Sequence, residues 1–194
     1  GRYRYARGST AQPLFADVTG RLAIDFRHRE NSFYDHNRQP LLPHLLSTEG
    51  PALAVGDVSG DGLDDIYVGG AKWQPGRLLV QRRDGTFGVS NAGVFAAYSL
   101  AEDVAAVWFD ADGDGHSDLY VVSGGNEFSE DHEALQDRLY LNDGEGNLRR
   151  GRDALPRFSE SGSAVVPGDF DGDGHLDLFV GRRVARDYGL APPS

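Results

Sequence analysis

The chain has 194 residues and a formal net charge of −11, with 30 acidic against 19 basic residues and no cysteine. An acidic balance opposes phosphate binding and argues against a nucleic-acid partner. The absence of thiols excludes a disulfide framework and thiol catalysis, and no apolar stretch approaches the length of a membrane span.

In chain order, residues 1–14 read as a basic, irregular arm, followed by a strand over Leu14–Thr19 and a His-, Arg-, Asn- and Pro-rich stretch to residue 50. Residues 1–50 are therefore an N-terminal arm with a lead-in strand region, and residues 51–194 divide into units of about 51–100, 101–160 and a partial 161–194. Each unit carries an apolar run, an aspartate loop and a second apolar run. The loops are DVSGDGLDD at 57–65, DADGDGHSD at 110–118 and DFDGDGHLD at 169–177. The first unit continues with GRLLVQRRDGTF, whose Asp84-Gly85 is a hairpin-turn signal. The second continues with DRLYLNDGEGNL, after a longer loop from Gly124 to Gln136 in which Glu133–Gln136 suits one helical turn. The third stops at APPS without a second hairpin, and helix signal elsewhere is slight. The start at Gly1-Arg2-Tyr3, with no methionine and no visible secretory signal, reads as a processed product or a fragment.

The loops look built for a hard cation. Asp110, Asp112, Asp114 and Asp118 occupy positions one, three, five and nine, and the His116 carbonyl at position seven can join them. Gly113 and Gly115 permit the positive φ that such curling needs. Calcium takes six to eight oxygens in a flexible shell, whereas magnesium wants fewer and tighter ones. The third loop repeats the set as Asp169, Asp171, Asp173, His175 and Asp177. The first offers Asp57, Ser59, Asp61, Leu63 and Asp65, and its neutral Ser59 makes it the weakest of three expected Ca²⁺ sites. These are not EF-hands: position twelve is Val68, Val121 or Val180 in a strand-like run, not a glutamate. Three bound calcium ions would roughly halve the net charge.

Two hairpins per unit make a four-stranded sheet, and radial repetition of such sheets is the β-propeller. The expected fold is all-β, an incomplete propeller-type array of about three blades with cation loops in the blade hairpins; a solenoid or a row of separate hairpins is the alternative. Propellers close with roughly four to eight blades, so these units do not close alone.

The D-x-D-G-D-G-x-x-D loop, followed by a strand ending in Gly-Gly, resembles the FG-GAP/VCBS repeats of integrin-type β-propellers over about residues 50–181. The wider run, with FADVT, HREN, LLPH, GPALAVGDVSGDGLDD and RLYLNDGEGN, is also similar to bacterial VCBS-repeat proteins. The resemblance implies secreted or surface-anchored proteins with structural calcium in the blade hairpins. Ser59 and the missing last hairpin depart from that pattern.

No motif for nucleophilic, nucleotide or dinucleotide chemistry is present, and the chain reads as a non-enzyme without catalytic residues. Glu127, Glu130, Asp131, His132 and Glu133 form an acidic loop cluster that reads first as solvated surface. His28, Glu30, Asp35, His36 and His44 form a second cluster without tight metal-ligand spacing. Trp108 belongs in the core, while Trp73, in a Gly/Pro-flanked loop, suits surface contact. The expected function is a calcium-stabilised extracellular or cell-surface scaffold that binds protein or glycan. A self-assembling subunit, homo-oligomer or filament through open blade edges, is the alternative. A secreted polysaccharide-active enzyme is a third.

Overall fold

Valine, isoleucine, leucine and tyrosine flank each aspartate loop, and such residues favour a pleated, half-buried surface. The structure, a computed structural model, describes residues 15–129, 131–158 and 160–183. Strands β1 (Leu53–Gly56) and β2 (Asp65–Val68) flank the first aspartate loop. With β3 (Arg77–Gln81) and β4 (Phe87–Ser90) they make an antiparallel sheet of order β1-β2-β3-β4. Its second hairpin turns at Asp84-Gly85, with Gly85 at a φ of 81°. Strands β5 (Asp103–Phe109), β6 (Asp118–Ser123), β7 (Arg138–Asn142) and β8 (Leu148–Arg150) repeat this order. The register repeats too: Ile66 faces Leu79 as Leu119 faces Tyr140.

Strands β9 (Gly162–Gly168) and β10 (Asp177–Arg182) form a two-stranded sheet. Among the described residues no second hairpin follows them. The expected tail at Ala191–Ser194 lies outside those residues, as does the arm over 1–14. The fold is all-β, an incomplete array of blades.

The sheets stack because each strand sends alternate side chains to opposite faces. Leu119 and Val121 of β6 join Ala54, Val58, Tyr67 and Leu78 of the first sheet in one core. Tyr120 and Val122 join Val165, Leu178 and Val180 of the third sheet in another. All six residues of β6 are consequently buried. Each fully buried Leu- or Val-sized side chain contributes roughly 1.5–3 kcal/mol, so β6 anchors both cores.

Two local expectations differ from the structure. Leu14 lies outside the described residues, and Phe15–Val18 form no strand; a 3-10 turn, Thr19–Arg21, follows them. Asp17 Oδ1 accepts the Thr19 N–H at 3.0 Å, a turn that competes with extension, and Phe15 is exposed with no neighbouring strand. A five-residue helix absent from the sequence reading, α1 (Ala92–Ala96), joins the first two sheets. It is too short to stand alone. Phe95 holds it, with its ring 5.3 Å from Tyr67 and 5.2 Å from Tyr140. The expected helical turn in the long loop is a 3-10 turn at Glu133–Leu135.

The segment from Leu22 to Asn31 runs along the first sheet. Leu22 O accepts the Phe87 N–H, Asp25 O accepts from Arg77 Nη1, and Arg27 O accepts from Gln74 Nε2. It delivers His28–Asn31 to the end of the sheets opposite the aspartate loops. No described helix is long and apolar enough to cross a membrane.

Candidate functional site

Each aspartate loop is organised around its first carboxylate. Asp57 accepts from the N–H groups of Gly60 at 2.8 Å and Gly62 at 2.8 Å. Asp110 repeats this with Gly113 and Gly115, and Asp169 with Gly172 and Gly174. The glycines at positions four and six all have φ between 73° and 90°, where a side chain is strained. At position five, Asp61, Asp114 and Asp173 each accept the N–H of position seven: Leu63, His116 and His175. Asp57 Oδ1 and Asp169 Oδ1 also accept from Asp61 N and Asp173 N, which fills both lone pairs, so the capacity left on these two first carboxylates lies on Oδ2.

The loops differ in where their oxygens converge. Carboxylate oxygens of Asp110, Asp112 and Asp114 lie within 4.8 Å of one another, as do those of Asp169, Asp171 and Asp177. Among the described residues the first loop has no such trio. Ser59 stands at its third position, its hydroxyl buried without a partner beneath Gly146 of the β7–β8 turn.

Position nine also differs. Asp65 accepts from Val58 N, Ser59 N and, across the sheet, Gln81 N. Asp118 accepts from Ala111 N and, across the sheet, Asn142 N at 2.8 Å. Both carboxyls are raised above their usual range, chiefly by burial. They brace loop to third strand. Among the described residues Asp177 accepts only from Phe170 N, and it is exposed. Asn142 completes the brace, because its Nδ2 donates to both Val58 O and Ser117 O, tying the first two aspartate loops together.

A second polar assembly, missed in the sequence, lies at the opposite end of the sheets. Gly69-Gly70 after β2 and Gly124-Gly125 after β6 border it: a Cβ on Gly69 would meet Asp103 Cβ at 2.7 Å, and one on Gly125 would lie 3.4 Å from Glu102 Cβ. Lys72 forms an ion pair with Glu127, whose side chain is 3 % exposed, and its ammonium sits 4.9 Å over Trp73 and 4.8 Å over Phe128. Asn31 Nδ2 donates to Glu127 Oε1 at 2.6 Å, and His28 Nε2 lies 2.5 Å from Glu30 Oε1. Glu102 is 3 % exposed, and its carboxyl is pushed up to about 8 by burial and then by Glu30, Glu127 and Asp103. A cavity of about 260 Å³ opens beside it, lined by Arg29, Glu30, Asn31, Lys72, Trp73 and Gln74.

The two clusters marked in the sequence are thus rearranged. Glu127 turns inward, and Glu130 lies outside the described residues. Asp131 and Glu133 are exposed, and His132 Nδ1 caps the 3-10 turn through Ala134 N. His28 and Glu30 join Glu127, whereas Asp35 binds Ser47 Oγ at 2.6 Å and His44 pairs with Glu49. Trp73 is exposed and Trp108 packs against the core.

The repeated sheet and its glycine-pinned aspartate loop define an all-β blade-repeat protein. A family model described as FG-GAP-like repeat matches residues 57–121 and again 110–180. These matches cover more than half of the chain, which belongs to the FG-GAP-like repeat family. No curated protein matches it.

Proposed function

We propose that the chain is a calcium-stabilised extracellular scaffold that binds protein or glycan through loops at its blade ends. The observation that carries the metal is the convergence of Asp110, Asp112 and Asp114, and of Asp169, Asp171 and Asp177, on loops already curled by backbone bonds. Side-chain oxygens of this kind suit calcium; the bound ion would offset the repulsion between neighbouring carboxylates. Asp110, Asp112 and Asp114 would hold it in the second blade, with the His116 carbonyl in reach of the same loop. Asp169, Asp171 and Asp177 would do so in the third, with Asp173 and His175 completing the loop. The first loop fits less well, since Ser59 is neutral and turned under the neighbouring turn. Family membership supports the binding-module role and the extracellular setting.

Because an ion that binds only the native state stabilises it by mass action, EDTA should lower the melting temperature and increase protease sensitivity, with recovery on adding calcium. An unchanged melting temperature in EDTA would end the calcium reading.

The third sheet favours a second reading. Val166, Phe170 and Phe179 are each more than half exposed, and the outer edge of β10 is unpaired among the described residues. Such an edge can accept a strand from another copy. Sedimentation across a concentration series in calcium tests this reading, and a monomer throughout would remove it.

A further inference from the structure

The assembly at the end opposite the aspartate loops has more unpartnered acceptors than donors: four oxygens against one amide nitrogen, Asn126 Nδ2, and one imidazole nitrogen, His28 Nδ1. Glu30 Oε2, Asn31 Oδ1, Glu102 Oε1 and Asn126 Oδ1 are all buried with no hydrogen-bond partner. Glu102 and Asn126 are 3 % and 1 % exposed, so bulk water does not serve them. A buried polar atom left unpaired costs roughly 1–3 kcal/mol, so four together call for something that satisfies them. The charges are also unbalanced. Glu30, Glu127 and Asp103 are all close enough to act on the Glu102 carboxyl, and the cations paired with these four are Lys72 on Glu127 and Arg138 on Asp103. With all four carboxylates ionised and His28 neutral, two negative charges remain.

We propose that Glu30, Asn31, Glu102 and Asn126 form a further divalent-cation site, separate from the aspartate loops, with calcium as its occupant. The donors set the choice of ion. Four oxygens, two of them neutral amide carbonyls, suit a hard cation, and one unpartnered imidazole nitrogen, His28 Nδ1, is too little for a zinc or copper site. The oxygens come from three separate segments: the N-terminal stretch, the entry to β5 and the exit from β6. Calcium tolerates the irregular shell that such ligands give, whereas magnesium demands near-octahedral order. One divalent ion also balances the two surplus charges. The ion would pin the N-terminal segment to the first two blades, beside a cavity with exposed Trp73 at its wall.

This site does not depend on occupancy of the loops, and counting bound ions separates the two ideas. The full chain, stripped with chelator, is titrated with calcium by calorimetry. The double variant Glu30→Gln/Glu102→Gln keeps side-chain size and removes two charges. It should bind one calcium ion fewer per chain than the wild type, with an unchanged circular dichroism spectrum. The converse pair Asp110→Asn/Asp169→Asn should lose the loop ions and keep this one. Equal ion counts in the wild type and the Gln double variant overturn the proposal. If the double variant does not fold, Asn126→Asp supplies the reading, because the Asn126 Nδ2 it removes has no hydrogen-bond partner: an added ligand charge should tighten one site about tenfold, and an unchanged affinity overturns the site. A soluble glycan that binds in EDTA, and does so no longer in the Gln double variant, would instead assign the cavity to a polyol.

Discussion

The second and third blades carry nearly the same aspartate hairpin in different surroundings. Tyr120 and Phe179 stand at the same place after their loops, yet Tyr120 is 1 % exposed and Phe179 63 %. Asp118 reaches backbone donors in its own loop and on β7, while Asp177 reaches one, in its own loop. The hairpin is thus a repeated local structure whose burial is set by its neighbours. Where a third strand and a flanking sheet are present, the ninth aspartate becomes a brace; where they are not, it stays at the loop surface, within reach of Asp169 and Asp171.

Beyond their shared core, the two blades are joined by Asp137. Its buried carboxylate accepts from Tyr120 Oη at 2.8 Å and Ser123 N at 2.9 Å, and it pairs with Arg182 of β10. Removing one member of a buried ion pair costs about 3–5 kcal/mol, so Asp137→Ala is expected to have the largest effect. Hydrogen exchange should report it unevenly: protection in β9 and β10 should fall well before that in β5 and β6. Uniform loss across all three sheets would show that the blades do not open separately.

A smaller effect compares the ninth aspartates directly. With EDTA present to remove any metal contribution, Asp118→Ala leaves Ala111 N and Asn142 N without their acceptor and should cost about 3 kcal/mol in urea unfolding. Asp177→Ala should cost under about 1 kcal/mol, as expected for an exposed group. Equal costs would mean that the third blade is braced in solution as the second is.

Much of this was legible in the sequence where the signal was local. The loops, their glycines and the Asp84-Gly85 and Asn142-Asp143-Gly144 turns all act within a few residues, so spacing revealed them. The strand expected at Leu14–Thr19 had the right residue types and no neighbouring strand to pair with. Helix α1 had the opposite problem: Asn91 stands at its N-cap but makes no capping hydrogen bond, and AGVFA is helical because Phe95 fits between two tyrosines. The polar assembly of Glu30, Lys72, Glu102 and Glu127 was hidden because it joins four distant segments. The available hint was the Gly-Gly pair ending β2 and β6, since those glycines open the space into which the assembly folds.

The tyrosine hydroxyls separate the blades by pH. Burial, followed by the charge of Asp103 on Tyr67 and of Asp137 on Tyr120, raises both well above the ordinary value near 10. The unfolded chain then loses these protons near pH 10 while the folded chain keeps them. Their stabilisation is therefore complete below pH 10 and is lost as pH rises above it. Tyr67→Phe and Tyr120→Phe should each cost about 1 kcal/mol at neutral pH and should reduce the decline in stability above pH 10. Phe179→Tyr should titrate near pH 10 in an absorbance titration, because its site is open to water. A strongly delayed titration there would place the third blade in a buried setting.

The smallest expected effect lies in the loops themselves and requires comparison with and without calcium. In EDTA, Ser59→Ala and Asp112→Ala should both be nearly neutral; Ser59 makes no hydrogen bond through its hydroxyl, and Asp112 is exposed. In calcium, a fivefold weaker site lowers the ion's contribution by about 1 kcal/mol, which for a chain of this size is about 2–4 °C in Tm. Asp112→Ala should show that loss, because it removes one of three converging carboxylates. Ser59→Ala should not, because its hydroxyl is neutral and buried where the residue packs against Gly146 of the β7–β8 turn. Equal losses would make Ser59 a ligand and the three loops equivalent. A loss at Asp112 alone would show that the first loop is held mainly by the Asn142 brace, and the second by its ion.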